Sequence, residues 1–560
     1  MGGVNRRVGL TFALAGIVTL ALVLRLWGLG FGFPYAYHFD EPTYVRIALN
    51  LGEGLIGRQP NPTGFSNLLF GEYGVYFIAG RIRGGLASAA EAGRFWRADP
   101  TAFHILLGRL TSALLGTLSV LVAYWLGKEA GGRGTGQLAA LFLAVAFLHV
   151  RDSHYVTPGI TAAFLTSLGV LCSVLAMRIR MYSSATSERR SGSARSGRRY
   201  LVLAAVAAGY AIATKWSVWP VIIPLAVAAG HGLWLEGRQE ARSRVAYLAL
   251  AIGSFGGGFL AGGFQLVLKP VAYLNYALLE WEAGQQGGFW IWQIDTVPGW
   301  LFYVKVLYYG LGGVLLGLAS VGFLRRLVKA ITRGDRMSIL LLSFPLFYYA
   351  SMGSTRHYFA RYALPLIPFG AVFAAEALVV VSAWVRRRKV RWGRRLAMAL
   401  AIAAIAQPLA WTIRHDVVLT RQDTRTLAKE WIEANIPAGA KIATDWPVYE
   451  PPLCRETYQV DTRGGEGLSG RPLAWYREQG FDYLIASSFI YRISLLDKEQ
   501  DARRRAFYAA LDEELELVQR FSPGEGNVEP PFVFDEIYGP WISLWHRERP
   551  GPVLKIYRVK

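Results

Sequence analysis

Long apolar runs recur along this chain, separated by short polar loops. The first covers Val8 to Trp27, and others follow near 104–127, 135–150, 160–178, 200–214, 216–235, 246–268, 301–324, 337–352, 362–385 and 396–413. A helix needs roughly 20 residues to cross the hydrocarbon layer. The pattern therefore predicts a mainly α, polytopic membrane domain over 1–414, with about eleven transmembrane helices and a retained first helix. One more segment, Leu68 to Ala87, is apolar enough to consider, but Arg81 and Arg83 interrupt it. Counting it as a span inverts the side of every later loop, so it reads as an interfacial or re-entrant helix. From about Asp416 charged residues become frequent. Asp423 to Asn435 has the apolar spacing of an amphipathic helix, with Leu427, Trp431 and Ile432 on one side, and Ile436-Pro437-Ala438-Gly439 stops it. Lys441–Thr444, Tyr483–Ser487 and Val553–Val559 read as strands. Residues 415–560 are thus expected to form a soluble α/β domain.

Charge sets the orientation. The chain of 560 residues is 53% hydrophobic and only 18% charged, yet its net charge is +21. The excess sits in short loops: Arg178–Arg199, Arg238–Arg244, Arg325–Arg336 and Arg386–Arg395. Lys and Arg in such loops mark the cytoplasmic side. A nucleic-acid stripe would need aromatic interleaving on a soluble domain, and none is present. With Arg6-Arg7 inside, alternation places 29–103, 151–159, 269–300, 353–361 and everything after Arg414 outside. The expected location is the inner or plasma membrane, with a cytoplasmic N-terminus and an extracytoplasmic C-terminal domain. The two cysteines, Cys172 and Cys454, fall in different phases and indicate no disulfide or metal framework.

Candidate chemistry gathers on the outward side. In the first outward loop (29–103) stands Phe39-Asp40-Glu41-Pro42, beside His38 and Arg46. An Asp followed by Glu-Pro is also a well-made helix start, so a cap alone accounts for it as readily as a site. Position favours the site, because the pair lies just after a membrane helix, where a carboxylate meets a lipid head group. A second polar cluster, His149-Val150-Arg151-Asp152-Ser153-His154, interrupts an apolar run, and such groups are costly unless they face water or a site. A solvated turn is the plainer explanation. The five-residue spacing of its histidines suits no zinc helix. Lys215 and Arg361, with Arg356 and His357 upstream of the latter, are outward cations of the kind a phosphate leaving group requires. No glycine-rich nucleotide loop, serine-hydrolase elbow or zinc signature is present. No metal or other cofactor is expected, with room left for a divalent cation.

The chain resembles the GT-C glycosyltransferases, specifically bacterial relatives of the protein O-mannosyltransferases (glycosyltransferase family 39) and of the lipid A aminoarabinose transferases. The resemblance rests on His38-Phe-Asp-Glu-Pro42, Asn61-Pro62, Leu107-Gly-Arg-Leu110, His149 to Thr157, Thr214-Lys-Trp216, Arg361-Tyr-Ala-Leu-Pro365 and Asp423-Thr-Arg-Thr-Leu427. It implies transfer of a sugar from a polyprenyl-phosphate donor to an acceptor hydroxyl on a glycan, lipid or protein, with inversion. Asp40 would be the general base, supported by Glu41, and Lys215, Arg361 and Arg356 would hold the lipid phosphate. Many relatives end the motif matching His149–Gly159 in an Asp, where this chain has Gly159. Either Asp152 takes that role, beside Arg151 and His154, or the second carboxylate is missing. A multi-pass transporter or lipid flippase is the rival reading; it predicts inverted repeats, and none is visible.

Overall fold

The computed structural model describes every residue except 1, 57–61, 86–87, 98, 186–189, 237–240, 287–296, 357–358, 389–391, 465, 494–501, 527 and 560. The helices run in order α1 (Gly2–Leu26), α2 (Glu41–Gly52), α3 (Gly64–Ile82), α4 (Ala89–Arg97), α5 (Ala102–Gly131), α6 (Arg133–Ala144), α7 (Phe147–Asp152), α8 (Pro158–Ala185) and α9 (Arg190–Thr214). A 3₁₀ turn, Trp216–Val221, leads into α10 (Ile222–Glu236), α11 (Ala241–Gly262), α12 (Gln265–Leu268), α13 (Pro270–Gln286), α14 (Gly299–Leu311), α15 (Gly313–Arg333) and α16 (Arg336–Gly353). A second 3₁₀ turn, Ala360–Leu366, opens α17 (Ile367–Arg387), and α18 (Gly393–Leu419) closes the bundle.

Among the described residues, six helices have the length and composition to cross a membrane, or seven if α14 and α15 count as one bent span. Sequence patterning led to about eleven; the runs at Val8–Trp27, 135–150, 200–214 and 337–352 are not among the six or seven, and two of the runs are broken. The run at 301–324 bends by 118° between α14 and α15. Gly312 adopts φ +82° at that corner, a conformation other L-residues resist, and a Cβ there would press on Pro408. The run at 135–150 divides into α6 and the six-residue α7. Burial separates centre from rim: 78% of the apolar window is buried in α8 and in Ala360–Arg387, against 22% in α11 and 17% in the α18 segment. Ile252, Leu396 and Ile402 remain exposed on the rim helices, as a hydrocarbon-facing surface requires.

After α18 come α19 (Thr424–Asn435), β1 (Lys441–Thr444), β2 (Gln459–Thr462), α20 (Leu473–Glu478), β3 (Tyr483–Ser487), α21 (Ser488–Tyr491), α22 (Ala502–Glu514), β4 (Glu516–Phe521) and β5 (Leu554–Arg558). They build one five-stranded sheet in the order β2-β1-β3-β5-β4. β1 pairs parallel with β2 and β3, and β5 pairs antiparallel with β3 and β4. Every residue of β3 is buried, as a strand covered on both faces must be. The buried face of α19 is Thr424, Arg425, Ala428 and Ile432; of the expected side Leu427, Trp431 and Ile432, Ile432 is buried, while Leu427 and Trp431 are half-buried. The expected boundary at 415 falls within α18, which carries the sheet domain directly.

Candidate active site

A cavity of about 660 Å³ lies between the bundle and the sheet domain. Its charged lining stands at breaks between helices. Asp40 precedes α2, Lys215 separates α9 from the first 3₁₀ turn, and Arg361 lies in the second. Among the described lining residues Asp40 is the only carboxylate, and Lys215 and Arg361 are the only cations.

Asp40 sits at the N-cap position of α2 but makes no capping hydrogen bond with its side chain, and its backbone is helical (φ −86°, ψ −22°). A cap residue needs extended backbone to turn its carboxylate onto the first free N–H groups, so capping does not account for Asp40. Its Oδ2 instead accepts a 2.6 Å hydrogen bond from Arg361 Nη1. The Arg361 guanidinium also lies 3.8 Å from the Tyr538 ring centre and 4.8 Å from that of Phe359. Burial raises the Asp40 carboxyl above its ordinary range, and the Arg361 charge partly offsets this. Lys215 Nζ lies 4.1 Å over the Tyr362 ring. Burial first, and Arg361 second, push its ammonium down to about 7.

The loop carrying Asp40 is fastened at both ends. On one side Arg425, held by the Asp423 carboxylate at 2.8 and 2.7 Å, donates to the Tyr37 carbonyl at 3.1 Å and to Val448 O at 2.7 Å. Thr426 is hydrogen-bonded to the Tyr37 hydroxyl at 2.8 Å. The Asp423-Thr-Arg-Thr motif thus clamps the loop from the sheet domain. His38 Nδ1 accepts from the Asp40 N–H, so its Nε2 carries the proton and donates to Tyr538 O at 3.3 Å. Burial and the Arg361 charge keep this imidazole neutral, well below its usual pKa. On the other side Glu41, fully buried, takes a bidentate pair from Arg109 at 2.8 and 2.7 Å and the Val156 N–H at 3.1 Å. Glu41 faces away from the cavity, so it supports Asp40 by anchoring the loop and not by touching the reacting atoms.

The second polar cluster lies behind the cavity wall. Arg151 binds Asp152 at 2.9 and 2.8 Å and donates to Gly539 O at 3.4 Å, and none of these residues lines the cavity. Gly159 does line it, and a Cβ there would come within 2.7 Å of Leu364 Cδ1. A carboxylate at this position therefore needs Leu364 to move, and Asp152 does not replace it on the wall. His154 points the other way, toward His415 and Asp416. Arg356 is exposed and is not among the lining residues; His357 lies outside the described residues. Sequence reasoning missed the contribution of the sheet domain: Trp446, Tyr449, Ile490, Phe534, Ile537 and Tyr538 line the cavity. The aromatic density of Pro531–Trp541 was the available signal.

A family model for dolichyl-phosphate-mannose-protein mannosyltransferases matches residues 93–261. No curated protein sequence matches the chain. Among solved structures, the chain is similar to the apo oligosaccharyltransferase of Archaeoglobus fulgidus, at 12% identity and a TM-score of 0.57, covering 94% of this chain and 77% of that one. It is similar to the oligosaccharyltransferase AglB of the same organism, in complex with an inhibitory peptide and a dolichol-phosphate (12% identity, TM-score 0.52, 89% and 72% covered). It is similar as well to ArnT from Cupriavidus metallidurans bound to undecaprenyl phosphate (14% identity, TM-score 0.50, 97% of both chains covered). What is shared at such identity is the architecture: the chain has the GT-C fold.

Proposed function

We propose that this GT-C membrane protein is a glycosyltransferase that moves a sugar from a polyprenyl-phosphate donor to an acceptor hydroxyl. One observation carries the reading: a single lining carboxylate stands with two cations in a cavity walled by both the bundle and the sheet domain. Asp40 takes the proton as the acceptor oxygen attacks the anomeric carbon. The bond from that carbon to the phosphate oxygen breaks on the opposite side, which inverts the centre. Lys215 and the free nitrogens of Arg361 hold the departing lipid phosphate, whose charge grows in the transition state. Trp216, Trp219 and Trp281 line the cavity, and the last two remain largely exposed, which suits a prenyl tail leaving toward the bilayer. The dolichol-phosphate and undecaprenyl phosphate bound by two structural neighbours support this class of donor. The acceptor enters from the sheet-domain side. The loop charges favour an extracytoplasmic cavity in the plasma membrane. This scheme places no metal in the cavity.

The test is transfer from radiolabelled polyprenyl-phosphate sugar by protein in liposomes. Asp40→Asn should lower the rate about 10²–10⁴-fold while the protein unfolds at the wild-type temperature. An unchanged rate removes Asp40 from the mechanism, and flux of donor lipid without any transfer overturns the enzyme assignment.

A further inference from the structure

We propose that His154, His415 and Asp416 supply three ligands to one transition-metal cation, zinc by ligand type, that fastens α18 to the turn following α7. All three side chains are fully buried, and one ligand atom from each lies within 4.8 Å of the others. The spacings fit a shared ion. His154 Nε2 is 3.6 Å and His415 Nδ1 is 3.1 Å from Asp416 Oδ1. Ligands about 2.0–2.2 Å from a tetrahedral zinc are about 3.3–3.6 Å from one another. Two imidazoles with one carboxylate are a zinc-type donor set.

The surrounding hydrogen bonds orient the rings for this role. His154 Nδ1 is 2.9 Å from the Val150 carbonyl, so a proton there leaves the Nε2 lone pair free. His415 Nε2 is 3.3 Å from the Tyr155 hydroxyl, which can accept its proton; Nδ1, which without a metal is hydrogen-bonded to Asp416 Oδ1 at 3.1 Å, is then the metal-facing nitrogen. Metal-binding histidines are typically fixed by a bond of this kind from the other ring nitrogen. Asp416 Oδ2 is buried with no hydrogen-bond partner among the described residues, a costly state for a carboxylate without a cation. Arg25 acts on Asp416 only as a nearby charge: its hydrogen bonds go to the carbonyls of Ala21, Leu143 and Ala144 and it contacts His149 Nδ1, so none reaches Asp416. The Trp27 carbonyl, 3.0 Å from His154 Nε2, borders the site from the end of α1. Without a metal, His154 can satisfy both carbonyls only as an imidazolium. That is the rival account.

The site is separate from the cavity and does not depend on the transfer reaction. The test is metal content of detergent-purified protein, prepared without chelator or metal-affinity resin and desalted after incubation with zinc. About one equivalent of zinc per chain is expected in the wild type, against less than about a tenth in His415→Ala and Asp416→Ala. Chelation should lower the unfolding temperature of the wild type, and added zinc should restore it. Cobalt(II) substitution should give the intense visible bands of a tetrahedral ion, a readout on the wild type that needs no folded variant. Wild-type protein with no stoichiometric zinc and no cobalt bands overturns the proposal, as do variants that retain wild-type zinc content.

Discussion

The two walls of the cavity differ in kind. The bundle supplies Asp40, Lys215 and Arg361, each at a break between helices, where the backbone has left the regular ladder and a charge reaches open space. The sheet domain supplies Trp446, Tyr449, Phe534 and Tyr538, broad faces with few formal charges. A bilayer bundle tolerates charge only where it is paired or solvated, and these three charges meet both conditions, paired or beside the open cavity, where helices break off. The folded domain beyond the membrane carries large aromatic surfaces, which suit the flat face of an acceptor. In the proposed scheme, bond breaking falls to the bundle and acceptor contact to the sheet domain.

Substitutions that act on one wall alone test this division. Arg361→Ala removes the partner of Asp40 and one of two phosphate cations at once, and kcat/KM should fall about 10²–10³-fold or more. The same value measured with saturating acceptor would show that acceptor binding is untouched. Glu41→Gln leaves Arg109 buried without a counter-charge, a loss of about 3–5 kcal/mol. It should appear as a lower unfolding temperature and poor yield, while the folded fraction keeps its turnover. A catalytic loss without loss of stability would make Glu41 part of the chemistry after all.

The pH profile separates the two bundle charges. The raised Asp40 carboxyl places the acid limb of kcat/KM above the ordinary aspartate range, because the base is lost as pH falls through that value. Lys215 loses its charge as pH rises through about 7, which sets the alkaline limb. Lys215→Arg should move the alkaline limb upward and leave the acid limb in place. The smallest change belongs to the other wall. Trp446→Ala should raise the acceptor KM about 2- to 10-fold, the worth of one aromatic contact, with donor KM and kcat nearly unchanged. A drop in kcat as large as that of Arg361→Ala would erase the distinction between the walls.

Sequence reading recovered the membrane bundle and the loop because apolar periodicity and interruptions by charge are local signals. Asp40, Lys215 and Arg361 stood out for that reason, and they share one wall. It was blind to direction. Adjacent carboxylates in a helix's first turn point about 100° apart, so Asp40 faces the cavity and Glu41 faces Arg109. Strands β2 and β4 escaped notice because both are edge strands, only partly buried, with Asp, Gln and Arg among their residues. The break at Gly312 was also invisible, since a lone glycine in an apolar run reads equally well as tolerated helix. His415 and Asp416 sit where an apolar run ends, a place where polar residues draw no attention.

The clamp on Tyr37 has a mechanical consequence. Tyr37 is tied to α19 of the sheet domain, Glu41 is tied to α5 of the bundle, and Asp40 is strung between them. Five residues reach at most about 18 Å when fully stretched, and these are folded into a turn, the Glu41 N–H bonded to the His38 carbonyl, so the two ties stand close together. A tilt of the sheet domain about the end of α18 would reach the turn that carries Asp40 through the Tyr37 tie and move the carboxylate relative to Arg361. In the proposed scheme the domain would then act as a lever arm whose short end is the proposed base.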